Sequence, residues 1–164
     1  MRPKPIKPKS GQESVWDYPR PPRLESFQGT IEVYFNDVRI ALTNHAFRVL
    51  ETSHPPTYYI PPDDINMEHL MPSSRSTYCE WKGRGSYYHI RAGGKQADDA
   101  AWYYSEPYER FSSIRNYVAF YAHKMQRCIV NGEDAEPQPG NFYGGWVTSN
   151  IVGPFKGIDG SFGW

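Results

Sequence analysis

Proline and glycine interrupt this chain too often for long helices to form. Fifteen prolines and fourteen glycines are spread through its 164 residues. Each proline removes a backbone donor and each glycine loosens the chain, so the expectation is many turns joining short strands. The core has to be built unusually as well, because aromatic residues make up 16 % of the sequence, with 13 tyrosines and five tryptophans. Leucine, isoleucine and valine are comparatively few. Much of the packing is therefore ring on ring, with polar tips that need partners. A chain of this length holds one domain with a real core and is short for two.

Lys plus Arg and Asp plus Glu each number 18, so the net charge is zero. Bulk charge gives no reason to expect nucleic acid or an anionic membrane as partner. No apolar run approaches the roughly 18 residues of a membrane span. The start, M-R-P-K-P-I-K-P-K-S, is basic but lacks the apolar stretch of a signal peptide. A cytoplasmic protein is the simplest expectation. Two widely separated cysteines, Cys79 and Cys128, fit a reducing compartment in which a structural disulfide is unusual.

Residues 1–28 alternate proline with charge, which predicts an extended proline-rich arm, with Trp16 and Tyr18 pinning it to the body. A single domain is expected over 29–164. T-I-E-V-Y-F and V-R-I-A-L-T flank Asn36-Asp37 and predict a hairpin. H-A-F-R-V-L-E-T and Y-Y-I-P predict further strands, and D-D-I-N-M-E-H-L one or two helical turns. S-Y-Y-H-I-R-A turns at Gly93-Gly94 into K-Q-A-D-D-A-A-W-Y-Y. N-Y-V-A-F-Y-A and M-Q-R-C-I-V add strands, the latter turning at Asn131-Gly132, while Pro107 to Ser113 predicts a brief helical or looped link. Residues 133–164 are rich in glycine and aromatics without periodicity, and predict an irregular strap whose rings plug onto the sheet. The sum is a mainly β domain with minor α.

Several chemistries can be weighed from residue types alone. A structural zinc site wants four N or S ligands in close pairs. The two cysteines and the histidines at 45, 54, 69, 89 and 123 show no such pairing, and no metal is expected. Phosphate-loop and dinucleotide fingerprints are absent, so no cofactor is expected. K-G-R-G-S at 82–86 and G-P-F-K-G at 153–157 offer only weak anion-cradle signals. Cys79 precedes Lys82 closely, and a nearby cation favours a reactive thiol, although Glu80 opposes it and buried cysteine is the commoner case. Cys128 falls in an alternating strand and is expected as plain core. The remaining pattern sets polar groups among rings: Glu51 ends an apolar strand, Lys82 follows Trp81, and Asp98-Asp99 precede A-A-W-Y-Y. If Glu51 and Lys82 face one cavity, they form a charge pair walled by aromatics, which suits a small polar molecule. A buried structural ion pair is the alternative.

The residues also carry a resemblance. R-V-L-E-T-S-x-P-P-x-Y-Y-I-P-P-x-D, T-x-C-x-W-K-G-x-x-S-Y-Y, A-A-W-Y-Y-x-x-P and Y-V-A-F-Y resemble successive blocks of the family called domain of unknown function 427. Q-P-G-x-F-Y-G-G-W-V-T and I-V-G-P-F-K-G are similar to the tail of its longer members. The resemblance implies a single compact β-tent-like domain of short antiparallel strands with one or two short helices. Relatives of that fold usually carry C-x-x-C zinc knuckles, which this chain lacks, and no reaction carries over with the fold. The block residues that map here are Glu51, Tyr59, Cys79, Trp81, Lys82, Gly83, Tyr87, Trp102 and Tyr121. Gly85 and Tyr88 stand where alanine and tryptophan are common, beside the candidate pocket.

Three functional expectations result. In the first, the domain binds a small-molecule ligand in an aromatic pocket. Glu51 and Lys82 are its catalytic candidates, and Tyr59, Trp81, Tyr87, Trp102 and Tyr121 its ligand-binding residues. In the second, it is a thiol enzyme using Cys79. In the third, it is a non-catalytic interaction module presenting the arm and the strap. A homodimer is compatible with each.

Overall fold

The computed structural model describes residues 2–164 and is mainly β, with helix confined to short 3-10 segments of three to six residues. Two four-stranded antiparallel sheets and one three-stranded sheet carry the architecture. The largest sheet runs, in spatial order, Val118–Phe120, Lys95–Tyr103, Gly83–Ala92 and Leu70–Cys79. A second sheet orders Glu133–Asp134, Arg127–Val130, Ile31–Phe35 and Val38–Thr43. The third joins Arg23–Ser26, Phe47–Leu50 and Thr57–Tyr59.

The expected hairpins form where turn residues permit them. Asn36 and Asp37 both adopt positive φ, 47° and 62°, as the tight turn between the second sheet's strands requires. Gly93 and Gly94 do the same between Gly83–Ala92 and Lys95–Tyr103. The two turns are tied together, because the Asn36 amide donates to the Ala92 carbonyl at 3.0 Å. D-D-I-N-M-E-H-L folds as two separate 3-10 turns, Pro62–Asp64 and Met67–His69. Between them Ile65 bridges Ala41 in extended form, which prevents one continuous helix.

Leu70–Cys79 is a ten-residue strand in a stretch whose only sequence signal was the motif at its end. It is an edge strand, largely exposed on both sides, so its sequence shows no apolar alternation. Pro72 is tolerated because one side of an edge strand needs no partner, and the register shifts between Pro72 and Ser76.

The main core lies between the two four-stranded sheets. Ile31, Val33, Ile40, Val130 and Cys128 from one meet Ile90, Ala101, Val118 and Phe120 from the other. Burial pushes the Cys128 thiol up, as befits a core cysteine. The opposite face of the largest sheet carries a second, aromatic cluster. There Tyr87, Trp102, Tyr104, Phe111, Ile114 and Ala119 pack against Val49 and Tyr59. Ile60 and Val118 exchange backbone hydrogen bonds at 2.9 Å, so the three-stranded sheet continues into the largest one. That seam fixes Tyr59 beside Trp102.

The proline-rich segment lies against the body. Glu13–Ser14 pairs in parallel with Ile151–Val152, and Arg23–Ser26 pairs with Phe47–Leu50. Val15, Trp16 and Tyr18 are buried with Leu50 and Ile151 in a third cluster, completed by Phe155 and Trp164. Within residues 133–164 the rings divide. Trp146 is fully buried and donates to the Phe120 carbonyl at 3.0 Å, whereas Phe142 and Phe162 are exposed. No helix of the described residues is long and apolar enough to cross a membrane.

Candidate functional site

Strand alternation puts one file of side chains on the aromatic face of the largest sheet. Tyr87 and Trp102 are direct cross-strand partners, and Thr77 and Cys79 oppose Gly85 and Gly83 on the edge strand. Glycine at 85 lets Tyr104 lie close over the strand, since a Cβ there would meet its ring at 3.3 Å. Tyr88 points the other way and stacks on Tyr103 with ring centroids 4.6 Å apart, so of the two departures from the resemblance only Gly85 borders this face.

A cavity of about 420 Å³ opens on this face, within the size range of small-molecule sites. The sheet floors it, Val49, Glu51, His54 and Tyr59 wall one side, and Gln138 with Asn141–Gly144 and Lys156 cover another. Glu51, Tyr59, Cys79, Lys82, Tyr87, Trp102 and Tyr121 all line it. Trp81 packs against the aromatic cluster from outside the lining.

Lys82 enters from the turn just before Gly83–Ala92, where its carbonyl accepts from the Tyr108 amide at 3.1 Å. Its ammonium sits over the Tyr104 and Phe111 rings, at 5.9 and 5.8 Å from their centroids. Among the described residues it has no ion pair, and the Cys79 thiol lies beside it. Burial opposes its charge, but Tyr59, Cys79 and Glu51 around it favour the charge and leave its pKa above the ordinary lysine value. Burial also pushes the Tyr59, Tyr104 and Tyr121 phenols up, so at neutral pH all three remain protonated donors. The rings form a continuous wall: Tyr104 and Tyr59 lie 6.4 Å apart, Tyr59 and Trp102 6.4 Å, and Trp102 and Tyr121 4.5 Å.

Glu51 is not the ion-pair partner of Lys82. Its carboxylate pairs with Arg20 at 3.2 Å, an arginine supplied by the proline-rich segment, and also faces His54 Nε2 at 3.7 Å. The direct charge pair expected from the sequence therefore does not form, because a nearer cation takes the carboxylate.

His54 has no sequence signal of its own, being one of five scattered histidines. Its state follows from Gln138. The Gln138 side-chain oxygen accepts from the Gly145 amide at 3.1 Å, so its nitrogen must face Lys156 O and His54 Nδ1, at 2.9 and 3.0 Å. Nδ1 is thus an acceptor, and the proton sits on Nε2, toward Glu51. Burial, then the charges of Lys156, Arg20 and Lys82, lower the His54 pKa to about 4. The Gln138 contact joins residues 84 apart in sequence, which no local pattern signals. Lys156 carried the only hint, as the lysine of G-P-F-K-G.

Comparison with known proteins agrees with the resemblance. No curated protein matches the chain. A family model described as a domain of unknown function matches residues 23–131, which include every cavity residue except those of the C-terminal strap. The chain belongs to the family known as domain of unknown function 427.

Proposed function

We propose that this protein binds a small polar molecule in the aromatic cavity, with Lys82 as the group that orients it. One observation carries this reading. The Lys82 ammonium lies over two ring faces and beside the Cys79 thiol, and among the described residues it has no ion pair. A half-buried cation with no carboxylate paired to it gains from a ligand acceptor. If a reaction follows binding, the Glu51 carboxylate and the neutral His54 imidazole are the proton-handling pair, and Lys82 the electrophilic partner.

The test is a screen of small polar compounds by thermal melting and by the Trp102 indole resonance. Compounds that raise the midpoint and move Trp102 in the wild type, and lose both effects in Lys82→Met with the fold intact, support the reading. Equal binding by Lys82→Met overturns it.

A second reading rests on Cys79, which lines the same cavity beside Lys82. An adjacent ammonium favours thiol chemistry. Alkylation rates decide it: a thiol no faster in the folded protein than in an unfolded peptide ends the thiol-enzyme reading.

A further inference from the structure

The charge around the cavity narrows the class of molecule. Arg75, Lys82, Lys124 and Lys156 all line it. Outside the cavity Arg23, Arg39, Arg48 and Arg127 each meet a carboxylate, and Arg20 meets Glu51. Among the described residues, none of the four cavity cations pairs with an aspartate or glutamate. Arg75, Lys82 and Lys124 are held by neutral partners instead. Arg75 lies over the Tyr87 ring at 5.0 Å, and Lys124 donates to the Asp98 carbonyl at 2.6 Å. Lys156 donates at 3.1 Å to a main-chain oxygen of Trp164, the last residue of the sequence, and lies over Tyr143 at 5.8 Å.

Two carboxylates share the lining, and both are engaged by the protein. Glu51 is neutralised by Arg20, which lies outside the lining, and Asp99 accepts from the Ser73 hydroxyl. A chain of zero net charge therefore sets four cations against two carboxylates around one cavity, one of the two already paired with Arg20. A low-dielectric wall strengthens the field of such a cluster. The neighbouring phenols add protons to donate and have no charge of their own. A cationic guest would be repelled, and a neutral one would leave Lys82 without a counter-charge. An acidic group satisfies both the ammonium and the phenols, and the tyrosine and tryptophan faces suit an attached planar body.

We infer that the cavity takes a small organic anion, with its carboxylate or phosphate on Lys82 and its planar body against the Tyr59, Trp102 and Tyr121 rings. The inference rests on the cavity being a binding site at all.

Five probes test it on the full chain: benzoate, phenyl phosphate, benzyl alcohol, benzylamine and inorganic phosphate. Affinity is read by calorimetry, and location by the Trp102 indole resonance. Benzoate or phenyl phosphate should move Trp102 and bind roughly tenfold or more tighter than the alcohol, the amine and inorganic phosphate. Whichever of the two is tighter identifies the acidic group. Lys82→Met should weaken the anions about tenfold. Lys156→Met does the same from the cavity edge, where folding is less at stake, and Arg39→Met, whose arginine pairs with Glu32 away from the cavity, changes nothing. Benzyl alcohol or benzylamine binding as tightly as the anions would overturn the anion class while leaving the cavity a binding site. So would anions indifferent to both Lys82→Met and Lys156→Met. Inorganic phosphate matching phenyl phosphate would remove the planar body. If no probe of any charge moves Trp102, the binding site itself falls with the inference.

Discussion

Arg20 Nη2 lies 3.2 Å from Glu51 Oε2, and the same nitrogen donates to the Thr52 carbonyl at 2.8 Å. A residue of the proline-rich segment thus controls the charge of a carboxylate on the cavity wall. Both side chains are partly exposed, at 38 % and 23 %, so the pair itself contributes at most about 1 kcal/mol to folding. Its effect on the cavity is larger, because freeing Glu51 returns a negative charge beside Lys82. Arg20→Ala should therefore leave the denaturation midpoint nearly unchanged and weaken benzoate or phenyl phosphate several-fold. Calorimetry on the variant checks this, and undiminished anion binding would separate Glu51 from the ligand's surroundings.

His54 makes stability depend on pH in a definite direction. Its folded pKa of about 4 lies below the ordinary value of about 6.5. Between those values the unfolded chain binds a proton that the folded chain refuses, so stability falls as pH drops from about 6.5 toward 4. The side chain is only 14 % exposed, and the loss is on the order of 2–3 kcal/mol at about 1.4 kcal/mol per pH unit. His54→Gln keeps an acceptor for Gln138 and removes the titration. Urea unfolding from about pH 7 to pH 4 should show the wild type losing stability relative to the variant. Parallel curves would mean that His54 titrates as it does in solvent.

What was legible in the sequence was what local chemistry decides. Asn36-Asp37, Gly93-Gly94 and Asn131-Gly132 marked hairpins because such residues accept positive φ, and all are turns. Leu70–Cys79 was illegible because an edge strand exposed on both sides needs no alternation. Glu51, Lys82, Cys79 and the tyrosines stood out as polar groups among rings. Strand alternation puts Cys79 and Tyr87 on one face, and Lys82 and Glu51 reach it from the turn and the strand end beside it. Which charge meets which was not legible. Arg20 reaches Glu51 through the pairing of Arg23–Ser26 with Phe47–Leu50, and Gln138 reaches His54 through the fold of the strap. Such partnerships are set by tertiary geometry, and neither has a local motif.

Gly144 holds the strap against the cavity wall. A Cβ there would overlap the Trp102 indole, whose ring is buried and pinned between Tyr59 and Tyr121. The strap, and not the ring, has to move. Gly144→Ala should cost about 1–3 kcal/mol as an overpacking change, shift the Trp102 indole resonance and weaken ligands of the cavity. Gly163→Ala is the control, since a Cβ there has nothing within 4 Å. Urea unfolding and the Trp102 resonance read both, and a silent Gly144→Ala would mean that the strap can lie elsewhere without cost.

Trp146 decides whether residues beyond the family match belong to the folding unit. The match ends at residue 131, yet Trp146 is buried in the core between the two four-stranded sheets, 5.3 Å from the Tyr58 ring. Its indole nitrogen also caps the Phe120 carbonyl at the end of the Val118–Phe120 strand. Trp146→Ala removes both and should cost about 3–5 kcal/mol. That is a large share of the roughly 5–15 kcal/mol that holds an ordinary domain together. A chain ending at Asn131 loses Trp146 along with the Gln138 and Lys156 contacts to the cavity, and should show no cooperative urea transition. Trp146→Phe, which keeps the ring and loses the hydrogen bond, should fall between wild type and alanine. A chain ending at Asn131 that unfolds cooperatively at the wild-type midpoint would make the strap an accessory surface, and the interaction-module reading of the glycine-aromatic tail would then be the stronger one.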